Sequence, residues 1–246
     1  MDMTFEQTHT IADIHVDAFG RVKPSVLLYF AQEAAGGHCK LLQLDWDTLA
    51  EKDLFWAVIR QRVQVTRLPM RGETITVQTW PMPTTRTAYP RATVGYDAEG
   101  KELFRVMGLW ILMNLKTRAM ILPGKSGVEV PGILRGNELA PPTSLAPAPY
   151  SDSVTRKVHY TLLDRNGHMN NTHYMEWVDD LLPAQFHKEH PVKDFTVCYQ
   201  SEALENQEIT LNWQLTEEGI LQVNAHREKT DVPGGKDRVF SAQMHF

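Results

Sequence analysis

The sequence predicts an α+β fold made of two similar halves in tandem, each with one helix against an antiparallel sheet. One observation is an internal repeat: a shift that places Asp17 on Asp164 also places Gly20 on Gly167, and the helical pattern that follows the first pair then falls on the one that follows the second. A second observation is that long stretches of alternating apolar and polar residues follow the helix in both halves, as in half-buried strands. Each half therefore consists of a strand, a turn, a helix and about four further strands.

Each predicted helix carries an apolar stripe. The segments SVLLYFAQEAA (25–35) and THYMEWVDDLL (172–182) place apolar residues three and four positions apart, which is typical of a helix buried along one side. The stripe consists of Leu27, Phe30, Ala31, Ala34 and Ala35 in the first half, and of Tyr174, Trp177, Val178, Leu181 and Leu182 in the second. Since the stripes coincide under the same shift, the pattern indicates duplication.

The predicted strands are separated by turn residues. Residues 55–81 and 195–215 alternate in the strand manner, and Gly72 and Asn206 interrupt them at corresponding places. The tetrapeptide DAEG at 97–100 is a hairpin signal between two later strands of the first half. The strands of each half therefore form an antiparallel sheet.

The connection between the halves is rich in proline. Prolines at positions 123, 131, 141, 142, 147 and 149 lie in it. Because proline has no N–H to donate, this segment is a poor central strand and a plausible extended connector. We therefore predict an N-terminal domain of residues 1–139 and a C-terminal domain of residues 140–246.

Composition excludes several classes of function. The formal charge of −5 provides no overall attraction to nucleic acid or to an anionic membrane. No apolar run approaches the roughly 20 residues that a membrane span needs, and the first residues do not resemble a secretory signal. Cys39 and Cys198 lack metal-site spacing and need not pair. A reducing cytoplasm is the expected location.

The two predicted turns differ in a chemically informative way. The first reads DAFGRV and the second DRNGHM. Because aspartate and glycine are common to both, they can serve the turn itself, whereas Asn166 and His168 replace Phe19 and Arg21. The shared scaffold does not require an amide or an imidazole there. The second half therefore contains a candidate site that the first half lacks.

The residues of the second turn suit attack on a carbonyl group. His168 can exchange protons near neutral pH, and the Asn166 amide can donate to a developing oxyanion. Asp164 can accept backbone N–H groups or orient the imidazole. The residues alone leave the accompanying carboxylate open; the candidates are Glu202, Glu205, Glu176 and Asp180.

Other catalytic motifs are missing from the sequence. It contains no Gly-x-Ser-x-Gly elbow, no His-Glu-x-x-His, no Cys-x-x-Cys and no glycine-rich phosphate loop. We therefore expect neither a metal nor a cofactor.

The segment DRNGHMNNTHYMEW resembles the catalytic segment of acyl-acyl carrier protein thioesterases, whose pattern is Asp-x-Asn-x-His-x-Asn-Asn-x-x-Tyr. The resemblance extends to the Arg-x-Pro-x-x-Gly-Glu and Thr-Trp elements within 55–81, and to a Trp-x-x-x-Asn-x-x-Thr-Arg strand at 110–120. It implies a tandem double hotdog, in which each half is a long helix wrapped by an antiparallel sheet. The implied activity is hydrolysis of the thioester of fatty acyl-acyl carrier protein, with release of free fatty acid.

The resemblance also implies the site residues. Asp164, Asn166 and His168 match the motif, and the later carboxylate of the family falls on Glu202 within YQSE. Plant members carry cysteine directly after that glutamate, whereas this chain has Ala203, so direct attack by water is expected. Glu202, assisted by His168, would deprotonate the water, and Asn166 and a backbone N–H near the helix start would hold the oxyanion. The sequence leaves open whether Glu202 or His168 is the general base.

The family likeness implies that the second half is catalytic and that the first half shapes the acyl pocket. Phe30, Trp56, Met107 and Trp110 are candidates to line that pocket or to serve as core. The partner would be acyl carrier protein, and the candidate docking stripe consists of Arg60, Arg62, Arg67 and Arg71. The alternatives are an acyl-CoA thioesterase, a hotdog dehydratase and a non-catalytic acyl-binding module. A homodimer is plausible.

Overall fold

The computed structural model describes residues 3–229 and 234–246, and the chain forms two compact units, Met1–Pro142 and Thr143–Phe246. The observed division lies close to the boundary predicted between residues 139 and 140. The six prolines of the connector fall on both sides of it.

The first unit is an antiparallel sheet with one long helix. Its strands have the order β1-β3-β4-β5-β2, and the short β6 pairs with β5. The elements are β1 (Phe5–Thr10), α1 (Pro24–Leu41), α2 (Trp46–Ala50), β2 (Leu54–Val65), β3 (Thr74–Pro81), β4 (Tyr89–Tyr96), β5 (Glu102–Asn114), β6 (Met120–Ile121) and α3 (Pro123–Ser126).

The second unit repeats this arrangement. Its strands have the order β8-β11-β10-β9-β7, again antiparallel, so that each strand has a counterpart in the first unit. The elements are β7 (Asp152–Lys157), α4 (His173–Asp179), α5 (Ala184–Glu189), β8 (Asp194–Tyr199), β9 (Glu208–Leu215), β10 (Ile220–Glu228) and β11 (Lys236–His245). The predicted order of one strand, a turn, a helix and four strands is confirmed in both units.

The helix α1 buries the predicted stripe. All five stripe residues are at most 6% exposed, and α1 packs against β1 and β3. Pro24 begins the helix, where a missing N–H has no consequence. Close packing against β1 depends on Gly37, because a Cβ at this position would lie 2.6 Å from the Phe5 ring.

The helix of the second unit is shorter than predicted. Tyr174, Trp177 and Val178 are buried as expected, but α4 ends at Asp179. Pro183 follows four residues later and has no N–H to donate to the Asp179 carbonyl, so the helix cannot continue through this position. The long helix predicted for the second half is therefore replaced by α4 and α5, and Leu181 is only half-buried.

The predicted turns occur where the sequence places them. Gly72 and Asn206 have left-handed backbone conformations, with φ of +84° and +67°. The DAEG tetrapeptide connects β4 to β5, and its aspartate carbonyl accepts a hydrogen bond from the N–H of Gly100 at 3.0 Å. These turns align the strands on either side of them.

The connector contains neither helix nor strand from residue 127 to residue 151. Its first part follows the first unit: Ile133 N–H donates to the Pro81 carbonyl at 2.9 Å, and Trp80 Nε1 donates to Glu138 at 3.1 Å. Within residues 3–229 and 234–246, no helix is both long and apolar enough to cross a membrane.

Candidate active site

The turn at residues 164–168 is organised by one carboxylate. Oδ1 of Asp164 accepts the backbone N–H groups of Asn166 at 2.7 Å and of His168 at 3.4 Å, and Oδ2 accepts Asn166 Nδ2 at 3.3 Å. The backbone N–H of Asp164 donates to the His168 carbonyl at 2.8 Å, which closes the turn. Gly167 adopts φ of +74°, a conformation that a side chain would strain. Asp164 therefore holds the backbone of the turn.

The turn of the first unit has the same backbone. Asp17 Oδ1 accepts the N–H groups of Phe19 at 2.8 Å and of Arg21 at 3.0 Å, and Gly20 has φ of +77°. Arg21 also forms an ion pair with Asp17 at 3.0 Å. The prediction that aspartate and glycine serve the scaffold is thus confirmed by the geometry.

The structure brings His168 and Glu202 together. Nε2 of His168 lies 3.1 Å from Oε2 of Glu202, and the side chains are 11% and 36% exposed. A backbone bridge between His168 and Leu204, and a hydrogen bond from Met169 N–H to the Ala203 carbonyl at 2.9 Å, join the turn to the segment after β8. An imidazole and a carboxylate in contact can move a proton between them.

The other three candidate carboxylates have different environments. Glu176 contacts His173 Nδ1 at 2.8 Å, and Asp180 pairs with Arg156 at 3.6 Å. Glu205 is exposed. Of the four carboxylates that the residues alone left open, Glu202 is the one that the structure places against His168.

Asn166 has a polarised and incompletely paired amide. One N–H of Nδ2 is directed at Asp164, and this carboxylate fixes the orientation of the amide because it can only accept. Among residues 3–229 and 234–246, Nδ2 has no second acceptor, so its other N–H can serve a bound group. Within the described residues, the buried Oδ1 has no hydrogen-bond partner. A buried polar atom without a partner costs about 1–3 kcal/mol.

The backbone N–H groups at the start of α4 are already engaged. Thr172 N–H donates to Asn170 Oδ1 at 3.0 Å, His173 N–H to the Asn170 carbonyl at 3.1 Å, and Met175 N–H to the Thr172 carbonyl at 3.1 Å. The expected backbone donor for an oxyanion is therefore not found in these three groups. The Asn166 amide carries that part of the prediction.

Comparison with known protein families settles the relationship of the chain. Residues 2–122 match the description "Acyl-ACP thioesterase N-terminal domain", and residues 149–239 match "Acyl-ACP thioesterase C-terminal domain". The chain belongs to the acyl-ACP thioesterase family.

Relatives within the family agree with the fold. The chain is 25% identical over 215 residues to a palmitoyl-acyl carrier protein thioesterase of Gossypium hirsutum and 26% identical over 215 residues to a dodecanoyl-[acyl-carrier-protein] hydrolase of Umbellularia californica. These matches cover 81% of the chain, and 52% and 56% of the relatives, both described as chloroplastic. The chain thus spans about half the length of the curated relatives it matches.

Solved structures confirm the tandem double hotdog. A crystal structure of an acyl-ACP thioesterase from Bacteroides thetaiotaomicron matches with a TM-score of 0.88 at 23% identity, covering 99% of this chain and 98% of the other. A 12:0-ACP thioesterase from Umbellularia californica matches with a TM-score of 0.81 at 22% identity, covering 100% of this chain and 97% of the other. At these identities the likeness concerns the fold.

The family position that holds cysteine in plant members is buried in this chain. Ala203 is 0% exposed, and its backbone N–H donates to the hydroxyl of Tyr174. Burial raises the pKa of Tyr174 well above its ordinary value, so this hydroxyl stays neutral. The sequence placed Tyr174 on the apolar stripe but did not reveal this bond, since nothing local relates residues 174 and 203. Cys198 lies on β8, where its thiol donates to the Thr143 carbonyl at 3.7 Å.

The four residues predicted to line the acyl pocket or serve as core have different environments in the structure. Phe30 and Met107 are fully buried, and Trp56 donates to the Leu44 carbonyl at 2.9 Å while it packs on Tyr89. Trp110 borders a small cavity of the first unit, between α1 and the sheet. Lining residues of this cavity also include Ala31, Ala35, Gln61, Arg91, Thr93 and Gly108.

The cavity is lined by a buried cation, Arg91, that the sequence alone does not indicate. Arg91 is 8% exposed, and its Nη1 lies 3.2 Å from Nδ1 of His38 and 3.4 Å from Oγ1 of Thr79. Burial lowers the pKa of Arg91. A single arginine in an alternating strand is normally an exposed residue, so only the packing of α1 over the sheet identifies it as an interior group.

The predicted docking stripe is partly neutralised. Arg67 pairs with Glu73 at 2.8 Å, and Arg71 pairs with Asp13. Arg60 and Arg62 are half-buried on β2. Carrier docking on this stripe stays a prediction.

Proposed function

We propose that this protein hydrolyses the thioester of fatty acyl-acyl carrier protein, which releases free fatty acid and ends chain elongation. The proposal rests on one observation: Nε2 of His168 lies 3.1 Å from Oε2 of Glu202. The turn that contains His168 also contains Asn166. Membership of the acyl-ACP thioesterase family supports the substrate class.

In the proposed mechanism Glu202 is the general base. Its side chain is 36% exposed, whereas that of His168 is 11% exposed, so the carboxylate is the member of the pair that water reaches more readily. Glu202 takes a proton from water as the oxygen attacks the carbonyl carbon of the thioester, and the electron pair of the C=O bond moves to its oxygen. His168 orients the carboxylate and exchanges protons with it.

The remaining steps use Asn166 and His168. The second N–H of the Asn166 amide donates to the oxyanion, and one such donor contributes roughly 3 kcal/mol to the transition state. Collapse of the tetrahedral intermediate breaks the C–S bond, and His168 delivers the proton to the departing thiolate. Asp164 keeps the turn in shape. Because the family's cysteine position is Ala203, no thiol at this position takes part.

The setting of the reaction is also part of the proposal. Both cysteines are free thiols, which is compatible with a reducing cytoplasm. Acyl carrier protein is the proposed partner, and the first unit shapes the acyl pocket while the second is catalytic. A homodimer is the proposed assembly.

The deciding experiment measures thiol release from matched acyl-carrier-protein and acyl-CoA thioesters. Wild type is compared with His168→Ala, Glu202→Gln and the control Glu205→Gln, which removes an exposed carboxylate three residues further along the chain. Carrier-dependent release that collapses in the first two variants and persists in the control supports the proposal. Collapse in His168→Ala alone would remove Glu202 as the base. Preference for CoA would favour an acyl-CoA thioesterase, and no release by wild type would leave an acyl-binding module.

A further inference from the structure

The segment that carries Glu202 is held by an arginine from a different strand. Nη1 of Arg227, at the end of β10, donates to the backbone carbonyl of Glu202 at 2.6 Å and to Oε1 of Gln207 at 2.8 Å. The same Gln207 oxygen accepts the backbone N–H of Leu204 at 2.9 Å. One guanidinium and one amide thus fix the peptide groups on both sides of Ala203.

Other contacts make this anchor well defined. The Arg227 side chain is 22% exposed, and its Nε lies 3.8 Å from Oδ2 of Asp237, which balances the charge. The backbone N–H of Ala203 donates to Tyr174, and its carbonyl accepts Met169 N–H at 2.9 Å. Hydrogen bonds from a charged donor are stronger than neutral ones, so Arg227 supplies the strongest of these constraints on the backbone.

The corresponding corner of the first unit shows what is special here. The N–H of Ile11 donates to the Glu73 carbonyl at 2.8 Å, as the N–H of Val158 donates to the Gln207 carbonyl at 2.9 Å. This correspondence makes Glu73 the counterpart of Gln207. Continued along the strand pairs β3–β4 and β9–β10, it makes Asp97 the counterpart of Arg227.

The two corners place their arginine on opposite sides. In the first unit Arg67 belongs to the loop itself. Its guanidinium contacts Glu73 at 2.8 Å and Asp97 at 3.9 Å, and its Nη1 donates to the carbonyl of the adjacent Leu68 at 3.4 Å. In the second unit the arginine is on the strand, and it donates to the Glu202 carbonyl at 2.6 Å from outside the loop. A guanidinium thus reaches a loop carbonyl in both corners, but only in the second does it tie the loop to a neighbouring strand, β10.

We propose that Arg227, acting with Gln207, is a positioning residue that holds the carboxylate of Glu202 against His168. The inference rests on the proposed function. The backbone at residue 202 sets the direction of its Cβ. A guanidinium on the Glu202 carbonyl and an amide oxygen on the N–H of the next peptide group, that of Leu204, therefore determine where the carboxylate lies. Arg227 contacts no reacting atom in this role.

The test is a double-mutant cycle on thioester hydrolysis. Because a displacement of about 1 Å can cost as much as 100-fold in rate, Arg227→Met is expected to lower kcat by about 10- to 100-fold with little change in KM. Added to Glu202→Gln, the same substitution is expected to cause little further loss, since the group that it positions is already gone. Arg227→Lys keeps one donor and should recover part of the rate.

Arg105→Met is the matched control. Arg105 also donates to a backbone carbonyl, that of Asn137 at 3.0 Å, and pairs with a carboxylate, that of Glu102 at 2.6 Å, and its side chain is 30% exposed. It lies in the first unit, so the control loses the same kinds of bond without touching the Glu202 segment. Its kcat should remain that of wild type once the folded fraction is matched.

A crystal structure of Arg227→Met provides a readout that is independent of activity. The proposal expects the distance between His168 Nε2 and Glu202 Oε2 to lengthen beyond hydrogen-bond range from 3.1 Å. Retention of this distance, or full additivity of the two substitutions, would overturn the positioning role while the proposed hydrolysis stands. Wild type that releases no thiol would instead overturn the proposed function, and the positioning role with it.

Discussion

The turns at Asp17 and Asp164 share one backbone conformation but carry different side chains. Each carboxylate accepts two backbone N–H groups, and each turn needs a glycine with φ above +70°. The side chains differ: Arg21 turns back onto Asp17, whereas His168 reaches Glu202. The comparison shows that the residues that build the turn are shared, whereas the residues proposed for catalysis are the ones that differ.

The segments facing the two turns differ in the same sense. Pro69 in the first unit corresponds to Ala203, because their carbonyls accept the N–H groups of Val22 and Met169. The neighbour of Pro69 is Leu68, which corresponds to Glu202. Proline has no N–H to donate, and leucine cannot exchange a proton. At these positions the first unit therefore has no carboxylate like that of Glu202, and no backbone N–H like that of Ala203, which donates to Tyr174.

The largest effect is expected at the position where the turns differ most. His168→Gln should lower the rate of thioester hydrolysis by about 10²- to 10⁴-fold, because an amide cannot transfer protons. The mirror substitution Arg21→Gln should leave the rate unchanged. Steady-state thiol release by both variants measures the difference. A loss below tenfold in His168→Gln, or equal losses in both, would show that the turns do not differ in function.

A smaller loss of rate is expected at Asn166. Asn166→Ala should lower kcat by about 10²- to 10³-fold through loss of the oxyanion donor. The free energy of unfolding should change by less than about 1 kcal/mol, because the lost bond to Asp164 is offset by removal of a buried Oδ1 that has no partner within the described part of the chain.

The mirror substitution at Phe19 should give the opposite result. Phe19→Ala removes apolar surface and the contact of its ring with the Arg21 guanidinium at 5.0 Å, which should cost about 1–3 kcal/mol of stability. Its kcat should remain that of wild type. Denaturant unfolding and kinetics on both variants decide the matter, and an unchanged kcat in Asn166→Ala would contradict the proposed donor.

The smallest effect is expected at the shared glycines. Gly167→Ala and Gly20→Ala should each cost about 1–2 kcal/mol of stability, because both glycines have a left-handed backbone that strains any other residue. A new Cβ would meet no atom closer than 3.7 Å, so no steric clash adds to this cost. The two costs should be equal within error in thermal unfolding. Hydrolysis should decrease in Gly167→Ala alone, since the proposed site lies on that turn. Unequal costs of unfolding would show that the scaffolds are not equivalent.

Much of the fold could be predicted because its signals are local and occur twice. The apolar stripe of α1, the strand alternation and the turn residues Gly72 and Asn206 depend on neighbouring positions. The sequence predicts too long an α4, because the apolar stripe continues to Leu182 while the helix itself ends at Asp179, ahead of Pro183.

The candidate site divides in the same way. Asp164, Asn166 and His168 lie within five consecutive positions, so one segment of sequence contains them and the turn explains their spacing. Glu202 was one of four carboxylates on the residues alone, and the family resemblance selected it. Arg227, Gln207 and Arg91 had no local signal, because an arginine or glutamine in a strand looks the same in sequence whether it faces solvent or an interior group.

The repeat, the order of elements in each unit and the contrast between the two turns can all be read from the sequence alone. Periodicity and turn chemistry act over a few residues, so they are legible without coordinates. Folding is what brings His168 against Glu202 and places Arg227 of β10 on the segment that carries Glu202. It also buries the amide oxygen of Asn166 where none of the described residues offers it a hydrogen bond. These facts depend on how separate strands and a helix pack, because side chains distant in sequence acquire their chemistry from the neighbours that packing gives them.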